Sequence, residues 1–369
     1  MSSRVLIAGV STRAAAESAA CAGFVVTSID AFADLDQHPS VRALSLAEGF
    51  SCAAAARASR EIECDAVVYL AGFENHPGAV ATLARGRTLW GNSPEVLRRA
   101  RDPAAAARAF RARGLQAPRV SARAGAAEGR WLVKPSARGG GQGVGPWRLG
   151  SSLSRSSYLQ EFVDGTPGAV VFVAAHGAAV PLGVSRQIVG DHAFGAAGYQ
   201  YCGSILAAGQ DASLVKAACA LASVAAAEFS LVGANGIDFV ASAGVPYPVE
   251  INPRWCASME LVERAFGLSV FAAHAAACAS GSLPDFDLRR QRPHAGAAGK
   301  AVVFARAEAT VGDTRGWLEE DSGIRDVPRP GDRIRAGHPV CTVFAACSDE
   351  ARCYAALVER AAQVYAELR

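Results

Sequence analysis

Short apolar runs alternate with helical patterns along the first part of the chain. The runs are Arg4–Gly9, which ends at a turn residue, Phe24–Asp30, which ends at an acid, and Asp65–Leu70. Runs of this length are typical of buried parallel strands, and a helical pattern at Thr12–Ala22 separates the first two. Strands that alternate with helices predict a Rossmann-like α/β domain over residues 1–95.

The turn after the first strand holds one glycine, Gly9, and lacks the GxGxxG pattern of dinucleotide-binding domains. We therefore interpret this domain as architectural. The next stretch, Pro94–Arg113, is rich in alanine and arginine and predicts one helix.

Strand and helix patterns continue through the rest of the chain. Predicted strands are Trp131–Pro135, Tyr158–Val163, Val170–Ala175, Ala179–Gln187, Ala234–Val240, Pro246–Ile251, Lys300–Arg306 and Val340–Ala345, and predicted helices are Ala212–Phe229, one from Met259 and one from Ser348. We expect Gly190–Gly203 to be flexible. The pattern predicts a central domain over residues 96–285 and a β-rich cap over residues 286–369.

Composition excludes several classes. Hydrophobic residues make up 51% and charged residues 19%, which excludes bulk disorder. The net charge of +3 is too small to indicate nucleic acid as the main partner. We expect no signal peptide and no membrane span. The ten cysteines form no CxxC pair, so we expect a reduced, cytoplasmic protein.

Lysine is rare, so its position is informative. The chain has three lysines among 37 basic residues, and Lys134 ends a predicted strand just before a glycine-rich loop. A lysine there can neutralise phosphate charge, and glycine backbone N–H groups can close over phosphate oxygens. The alternative is a surface hairpin with a flexible tip. The loop residues concerned are Gly139, Gly140, Gly141, Gln142 and Gly143.

A second segment, Gln160, Glu161, Phe162 and Val163, lies on the predicted strand that follows this loop. Its backbone can contact an adenine edge, and Gln160 or Glu161 can accept a hydrogen bond from the exocyclic amine. Taken alone, the segment is typical of an ordinary strand, which is the alternative.

A third segment places acids on two strands joined by a short hairpin. Glu250 and Asn252 are two residues apart and point to one face of their strand, with Asp238 on the other strand. Such oxygens suit Mg²⁺. Arg254, two residues further on, can stabilise charge on a transferred phosphate. A solvated hairpin with surface acids is the alternative.

Together, in this order, the three segments resemble the ATP-grasp superfamily. The stretch PGDRIRAGHPVCTVFA near the end is similar to the cap of its carboxylase-related members. The resemblance implies an ATP-grasp fold with a pre-ATP-grasp domain and a β-rich cap. It implies Lys134 at the phosphates, Mg²⁺ (Mn²⁺ as an alternative) on the acidic set, and Arg101 where many members carry a second lysine.

The resemblance also implies an activity, that of an ATP-dependent carboxylate–amine ligase. Such ligases act on small-molecule carboxylates and amines, pass through an acyl phosphate and release ADP and phosphate. Two alternatives stay open: a biotin-carboxylase-like or other carboxylate-phosphorylating enzyme, and a non-catalytic nucleotide-binding module. A homo-oligomer also stays open, while nucleic acid and membrane partners are not expected.

Four further residues are candidates for substrate contacts. Arg186 would bind a carboxylate, Tyr199 and Tyr201 would line an aromatic pocket, and Glu260 would bind an ammonium group. A surface or structural role is the alternative for each. The cap and motifs are similar to proteins of one-carbon cofactor biosynthesis, which implies glutamate joined to tyrosine or tyramine, as in methylofuran assembly.

Overall fold

The computed structural model of the chain describes residues 3–46, 49–123, 129–291 and 296–368, with the side chain of Glu320 outside this description. All ten cysteines are free thiols, as expected.

The amino-terminal unit is a five-stranded parallel sheet with helices. Its strands lie in the order β3-β2-β1-β4-β5. The unit comprises β1 (Arg4–Ala8), α1 (Arg13–Cys21), β2 (Val25–Asp30), β3 (Arg42–Ser45), α2 (Cys52–Ala58), β4 (Ala66–Tyr69), α3 (Pro77–Leu83) and β5 (Thr88–Leu89). The predicted parallel α/β unit is confirmed, although β3, α2 and α3 were not predicted.

The central part contains two antiparallel layers. A small sheet has the order β6-β9-β7-β8, and five strands of a larger sheet follow it in the chain. The elements are α4 (Pro94–Ala100), α5 (Pro103–Ala112), β6 (Val120–Ser121), β7 (Trp131–Pro135), β8 (Gly145–Pro146), β9 (Ser157–Glu161), β10 (Thr166–Ala175), β11 (Ala178–Val189), β12 (Tyr201–Ala207), α6 (Ala212–Phe229), β13 (Gly233–Ser242), β14 (Val245–Asn252), α7 (Met259–Phe266) and α8 (Val270–Ser280).

The carboxyl-terminal part continues the larger sheet. Its order is β14-β13-β10-β11-β12-β15-β19-β17, so β12 pairs with β15 across the predicted 285/286 boundary. The elements are α9 (Leu288–Gln291), β15 (Ala297–Phe304), β16 (Ala309–Thr310), β17 (Ile324–Arg325), β18 (Arg333–Ile334), β19 (Pro339–Cys347) and α10 (Glu350–Glu367). One sheet therefore holds the central and last parts rigidly together.

Two local predictions were wrong. The stretch Pro94–Arg113 forms two helices, because Pro103 cannot continue α4 and the Asp102 side chain accepts hydrogen bonds from the first N–H groups of α5. The stretch expected to be flexible, Gly190–Gly203, contains a 3₁₀ turn at His192–Phe194 and the start of β12.

Helix α6 is apolar and long enough to cross a membrane, as is the bent pair α7–α8 if it is counted as one span. Helix α6 instead lies against β10 and β11, and its buried residues include Leu221 and Phe229. This packing is that of a core helix.

The amino-terminal unit is joined to the larger sheet by a mixed apolar and ionic contact. Phe24 packs edge-on against Trp90 and Phe271, with ring centroids 5.7 and 5.5 Å apart. Beside this cluster, Arg13 of α1 has a fully buried side chain. Its guanidinium contacts Glu260 of α7 at 2.7 Å and Asp326, which follows β17, at 2.7 Å.

Further charges complete the Arg13 cluster. Lys300 of β15 donates to the other oxygen of Glu260 at 2.6 Å, and Asp36 lies 3.5 Å from the Arg13 guanidinium. Burial would lower the pKa of Arg13, but Asp326, Glu260 and Asp36 hold it well above its ordinary value. The charge of Arg13 is therefore fully matched by carboxylates from three parts of the chain.

We predict that Arg13→Ala lowers the free energy of unfolding by about 3–5 kcal/mol, because it leaves buried carboxylates without their cation. Urea denaturation followed by fluorescence measures the change. Arg315→Ala is the control, since Arg315 pairs with Asp313 at the surface and should change stability by less than about 1 kcal/mol. Equal losses in the two variants would contradict a stabilising role for the Arg13 cluster.

Candidate active site

The site is a cleft of about 840 Å³ between the small sheet, the larger sheet and the amino-terminal unit. All three predicted segments line it: Lys134 with its glycine loop, the end of β9, and the β13–β14 pair. The tertiary fold thus brings together residues that are up to about 120 positions apart in the chain.

Lys134 extends from β7 into the cleft beside β9. Its Nζ donates to Oε1 of Gln160 at 3.0 Å and to the carbonyl oxygen of Val249 at 3.4 Å. Burial lowers the pKa of Lys134, while Glu250 and Asp238 favour its charged form. The Gln160 amide also donates to the Val249 carbonyl. The Gln160 side chain therefore holds Lys134 in place and is not free to contact an adenine base.

The glycine loop connects β7 to β8 and folds over the cleft. Gly140, Gly141 and Gly143 have φ of 62°, 76° and 74°, which favour glycine. The Gly140 carbonyl accepts from the N–H of Tyr201 at 3.0 Å. A Cβ on Gly141 would lie 1.7 Å from the carbonyl oxygen of Tyr199. The loop is therefore a built cover that closes on the start of β12, not a free hairpin tip.

The residues after Gln160, which are Glu161, Phe162 and Val163, also line the cleft. The Glu161 carboxylate instead accepts from Arg119 at 2.9 Å, and the Phe162 ring stacks beneath Arg130 at 3.9 Å. Strand β9 ends at Glu161, so Phe162 and Val163 follow it rather than extend it. The Glu161 side chain is thus engaged with arginine, and the predicted contact of this segment with adenine remains a prediction for its backbone.

The β13–β14 pair places the three predicted metal ligands side by side. Asp238 lies directly opposite Glu250, and Asn252 donates to Asp238 Oδ2 at 3.0 Å. The other Asp238 oxygen accepts from Gln187 of β11 at 2.8 Å. Burial, and next the charge of Glu250, raises the pKa of Asp238 to about 6.

Glu250 differs from Asp238 in its charge environment. Burial would raise its pKa, but Arg101 and Lys134 hold the pKa of Glu250 below its ordinary value. Arg101 donates to Glu250 at 2.5 Å, to the Ile251 carbonyl at 3.0 Å and to Asn75 at 2.8 Å. Arg101 thus lines the cleft and is already bound to a predicted metal ligand, while its role at a phosphate remains a prediction.

Two carboxylates and an amide oxygen are hard donors that suit Mg²⁺. Among the described residues no three His, Cys, Asp or Glu side chains cluster. A metal here would draw on Asp238, Glu250 and Asn252, which lie together on the β13–β14 pair. The residues present therefore fit a divalent cation.

Arg254 is held by a residue that the sequence analysis missed. Its Nε donates to Oε1 of Glu74 at 2.9 Å, and its Nη2 donates to Asn252 at 3.0 Å. Glu74 follows β4 in the amino-terminal unit, is 2% exposed and lines the cleft. The sequence feature that could have indicated Glu74 is its position: it is an acid shortly after a buried parallel strand, where open parallel sheets bind ligands.

The four predicted substrate residues separate into two groups. Tyr199 and Tyr201 line the cleft, and the Tyr201 hydroxyl lies 3.0 Å from that of Ser204. Arg186 instead pairs with Glu350 of α10, because its neighbour Gln187 takes the face of β11 that meets Asp238. The prediction that Arg186 binds a substrate carboxylate is therefore wrong in this structure, because its side chain pairs with Glu350 instead.

The prediction for Glu260 is also wrong. Its carboxylate is 4% exposed and is shared between Arg13 and Lys300 in the Arg13 cluster. Burial would raise its pKa, but Arg13 and Lys300 hold the pKa of Glu260 well below its ordinary value. A carboxylate with both oxygens committed to buried cations is a structural group, not an ammonium site.

Comparison with known proteins agrees with this geometry. A family model described as an ATP-grasp domain matches residues 100–258. No curated protein sequence matches the chain. Together with the solved structures below, the match shows that the chain has the mixed α/β ATP-grasp fold, with a parallel sheet at its start and antiparallel sheets elsewhere.

Three solved structures illustrate the likeness. Biotin carboxylase from Campylobacter jejuni has a TM-score of 0.73 at 14% identity, over 100% of this chain and 91% of that one. The L-amino acid ligase from Bacillus licheniformis has a TM-score of 0.70 at 16% identity, over 99% and 98%. The ADP complex of N5-carboxyaminoimidazole ribonucleotide synthetase has a TM-score of 0.71 at 18% identity, over 98% and 96%.

We predict that Gly141→Ala opens the glycine loop, because an alanine Cβ cannot fit against the Tyr199 carbonyl. Limited trypsin digestion should then cleave after Arg138 about tenfold faster than in the unaltered chain. Gly140→Ala is the matched control: its φ is similarly positive, at 62°, but no atom lies within 4 Å of its added Cβ. Equal cleavage rates in both variants would show that the Tyr199 contact does not hold the loop.

We also predict that Mg²⁺ binds more weakly in acid. Protonated Asp238 cannot bind a metal, so below its pKa of about 6 the affinity should fall about tenfold per pH unit, and above pH 7 it should level off. Calorimetric titration of Mg²⁺ between pH 5 and 8 measures this. Asp238→Asn should bind weakly at every pH, and an affinity that is flat from pH 5 to 7 in the unaltered chain would contradict the assignment.

Proposed function

We propose that this chain is an ATP-dependent ligase that joins a carboxylate to an amine, with release of ADP and phosphate. The observation that carries the proposal is the convergence of Lys134, the closed glycine loop and the Asp238–Glu250–Asn252 set on one cleft. Cationic side chains, a glycine loop that covers the cleft and hard oxygen ligands together suit a nucleoside triphosphate with its metal. The fold shared with ligases and carboxylases supports the same class.

In this proposal the cleft residues have separate roles in phosphoryl transfer. Lys134 and Arg101 neutralise phosphate charge, and Asp238, Glu250 and Asn252 would hold the divalent cation. When bound, that cation would screen the charge of the transferring phosphate and orient it. Arg254 lies beside Asn252 and stabilises the charge that develops on the transferred group.

The reaction follows in two balanced steps. A carboxylate oxygen attacks the terminal phosphorus, the bond between that phosphorus and the bridging oxygen breaks, and ADP leaves. The amine nitrogen then attacks the acyl carbon, phosphate leaves, and the nitrogen loses a proton as the amide forms. The glycine loop keeps water from the acyl phosphate during both steps, because its contact with Tyr199 closes the cleft.

For the substrates we propose glutamate as the carboxylate and tyrosine, or tyramine, as the amine. The support is that Tyr199 and Tyr201 line the cleft, where they offer an aromatic surface with polar tips. Arg186 has no part in binding the carboxylate substrate in this proposal, because its side chain pairs with Glu350 of α10.

A carboxylase-type reaction is the second candidate, because the larger sheet runs unbroken from the central part into the cap and the biotin carboxylase from Campylobacter jejuni shares the fold over the whole chain. It would use the same residues to phosphorylate bicarbonate instead of an amino-acid carboxylate. The complete Asp238–Glu250–Asn252 set argues against a module that binds nucleotide without turnover.

We expect ATP with Mg²⁺, glutamate and tyrosine to give ADP, phosphate and a product of the summed mass less one water. Phosphate release and mass spectrometry over a panel of amino acids, amines and bicarbonate measure this. Lys134→Ala should lower the rate by about 10²-fold or more, because the phosphate loses a cation. Phosphate release only with bicarbonate would favour the carboxylase. If no compound in the panel stimulates phosphate release, the ligase proposal is contradicted.

A further inference from the structure

A 3₁₀ turn of the amino-terminal unit, Phe73–Asn75, follows β4 and reaches the cleft. Phe73 is fully buried, and Gly72, just before it, has a φ of 101°, which favours glycine. The middle residue of the turn is Glu74, whose side chain is buried. The conformation of the turn is therefore fixed by packing, and the place of Glu74 at the cleft is fixed with it.

Glu74 forms an ion pair between the amino-terminal unit and the central part. Its Oε1 accepts from Nε of Arg254 at 2.9 Å. Tyr69, at the end of β4, donates to the carbonyl oxygen of Pro253 at 3.0 Å, one residue before Arg254. Burial would lower the pKa of Arg254, but Glu74 holds it above its ordinary value, so the guanidinium stays charged.

The contacts of Arg254 leave one of its five N–H groups for a ligand. Nε is bound to Glu74, and Nη1 donates to the Trp255 carbonyl at 3.0 Å and to Sγ of Cys256 at 3.5 Å. Nη2 donates to Oδ1 of Asn252 at 3.0 Å. The second N–H of Nη2 has no acceptor among the described residues. It belongs to the nitrogen that lies beside Asn252, a candidate metal ligand.

Stability alone does not account for this ion pair. The side chains of Glu74 and Arg254 are 2% and 13% exposed, so both charges are largely removed from water. Oε2 of Glu74 is also buried and has no hydrogen-bond partner among the described residues, which is costly for a carboxylate. Buried ion pairs often stabilise a protein no more than apolar residues of similar size. What this pair does determine is the direction of the guanidinium group.

We infer that Glu74 is a positioning residue for Arg254. By binding Nε, Glu74 holds the guanidinium plane so that the unpaired N–H of Nη2 meets the phosphoryl group during its transfer. The inference rests on the proposed function, in which Arg254 stabilises the charge on the transferred group. It adds that this stabilisation depends on the amino-terminal unit, which the sequence analysis interpreted as architectural. Glu74 acts only through Arg254.

A positioning role has its own kinetic signature. The charge that Arg254 stabilises develops only while the phosphoryl group is transferred. A guanidinium held in the wrong direction would therefore lower kcat and leave the KM for MgATP unchanged. A residue needed only for the fold would instead lower the amount of active protein, whatever stands at position 254.

The test compares two substitutions of similar length. Glu74→Met removes the acceptor for Nε and should lower kcat by about 10²-fold, with the KM for MgATP unchanged. Glu74→Gln keeps an acceptor oxygen without the charge and should lower kcat by only about fivefold. Glu63→Met is the control, because Glu63 is 87% exposed on the surface of the same unit and should leave both constants unchanged.

A double-variant cycle separates positioning from a role in the fold. In an Arg254→Met background, Glu74→Met should lower kcat no further, because the guanidinium through which Glu74 acts is already gone. Unfolding midpoints are measured for each variant, since Glu74→Met alone leaves a buried cation unpaired. If Glu74→Met does not fold, Glu74→Gln is measured in both backgrounds, where its fivefold effect should disappear without Arg254.

A binding measurement makes the result independent of turnover. Calorimetry compares MgADP alone with MgADP plus aluminium fluoride, which mimics a phosphoryl group in transfer. Glu74→Met should bind MgADP as the unaltered chain does and should bind the fluoride complex about 10²-fold more weakly. If no pair of acid and amine reacts, the ligase proposal fails, while this comparison still tests the role of Glu74.

The inference is overturned if Glu74→Gln loses as much activity as Glu74→Met, or if Glu74→Met loses as much in the Arg254→Met background as in the unaltered chain. It is also overturned if the loss lies in the affinity for MgADP and not in that for the fluoride complex. A chain that binds no MgADP at all would contradict the proposed function, and the inference would fall with it.

Discussion

The buried guanidinium of Arg13 is the interaction on which the arrangement of the molecule depends. It joins α1 to Glu260 of the central part and to Asp326 of the last part, while Lys300 neutralises the remaining oxygen of Glu260. A charge with no exposed surface is stable only if every partner is in place. The three parts of the chain are therefore fixed in one relative position, which is the position that forms the cleft.

A second line of contacts leads from this frame into the cleft. Glu74 of the amino-terminal unit holds Arg254, Arg254 donates to Asn252, and Asn252 donates to Asp238. A shift of the amino-terminal unit would thus move the arginine and the candidate metal ligands together.

Much of this could be predicted from the sequence because the signals are local. Apolar runs bounded by turn residues identified the parallel strands, and a lysine before five glycines identified a loop that lines the cleft. The spacing of Glu250 and Asn252 put both on one face, since side chains alternate along a strand. These inferences need only the period of a strand and the conformational range of glycine.

What the sequence could not determine is which side chains are already engaged by distant partners. Arg186 and Gln187 lie on a strand whose two faces are both covered, so no apolar alternation showed that Gln187 faces Asp238 and Arg186 faces α10. Glu260 looked like a free acid until the fold placed two buried cations on it. Local pattern fixes the direction of a side chain along its own element, but only tertiary packing decides which charge it meets there.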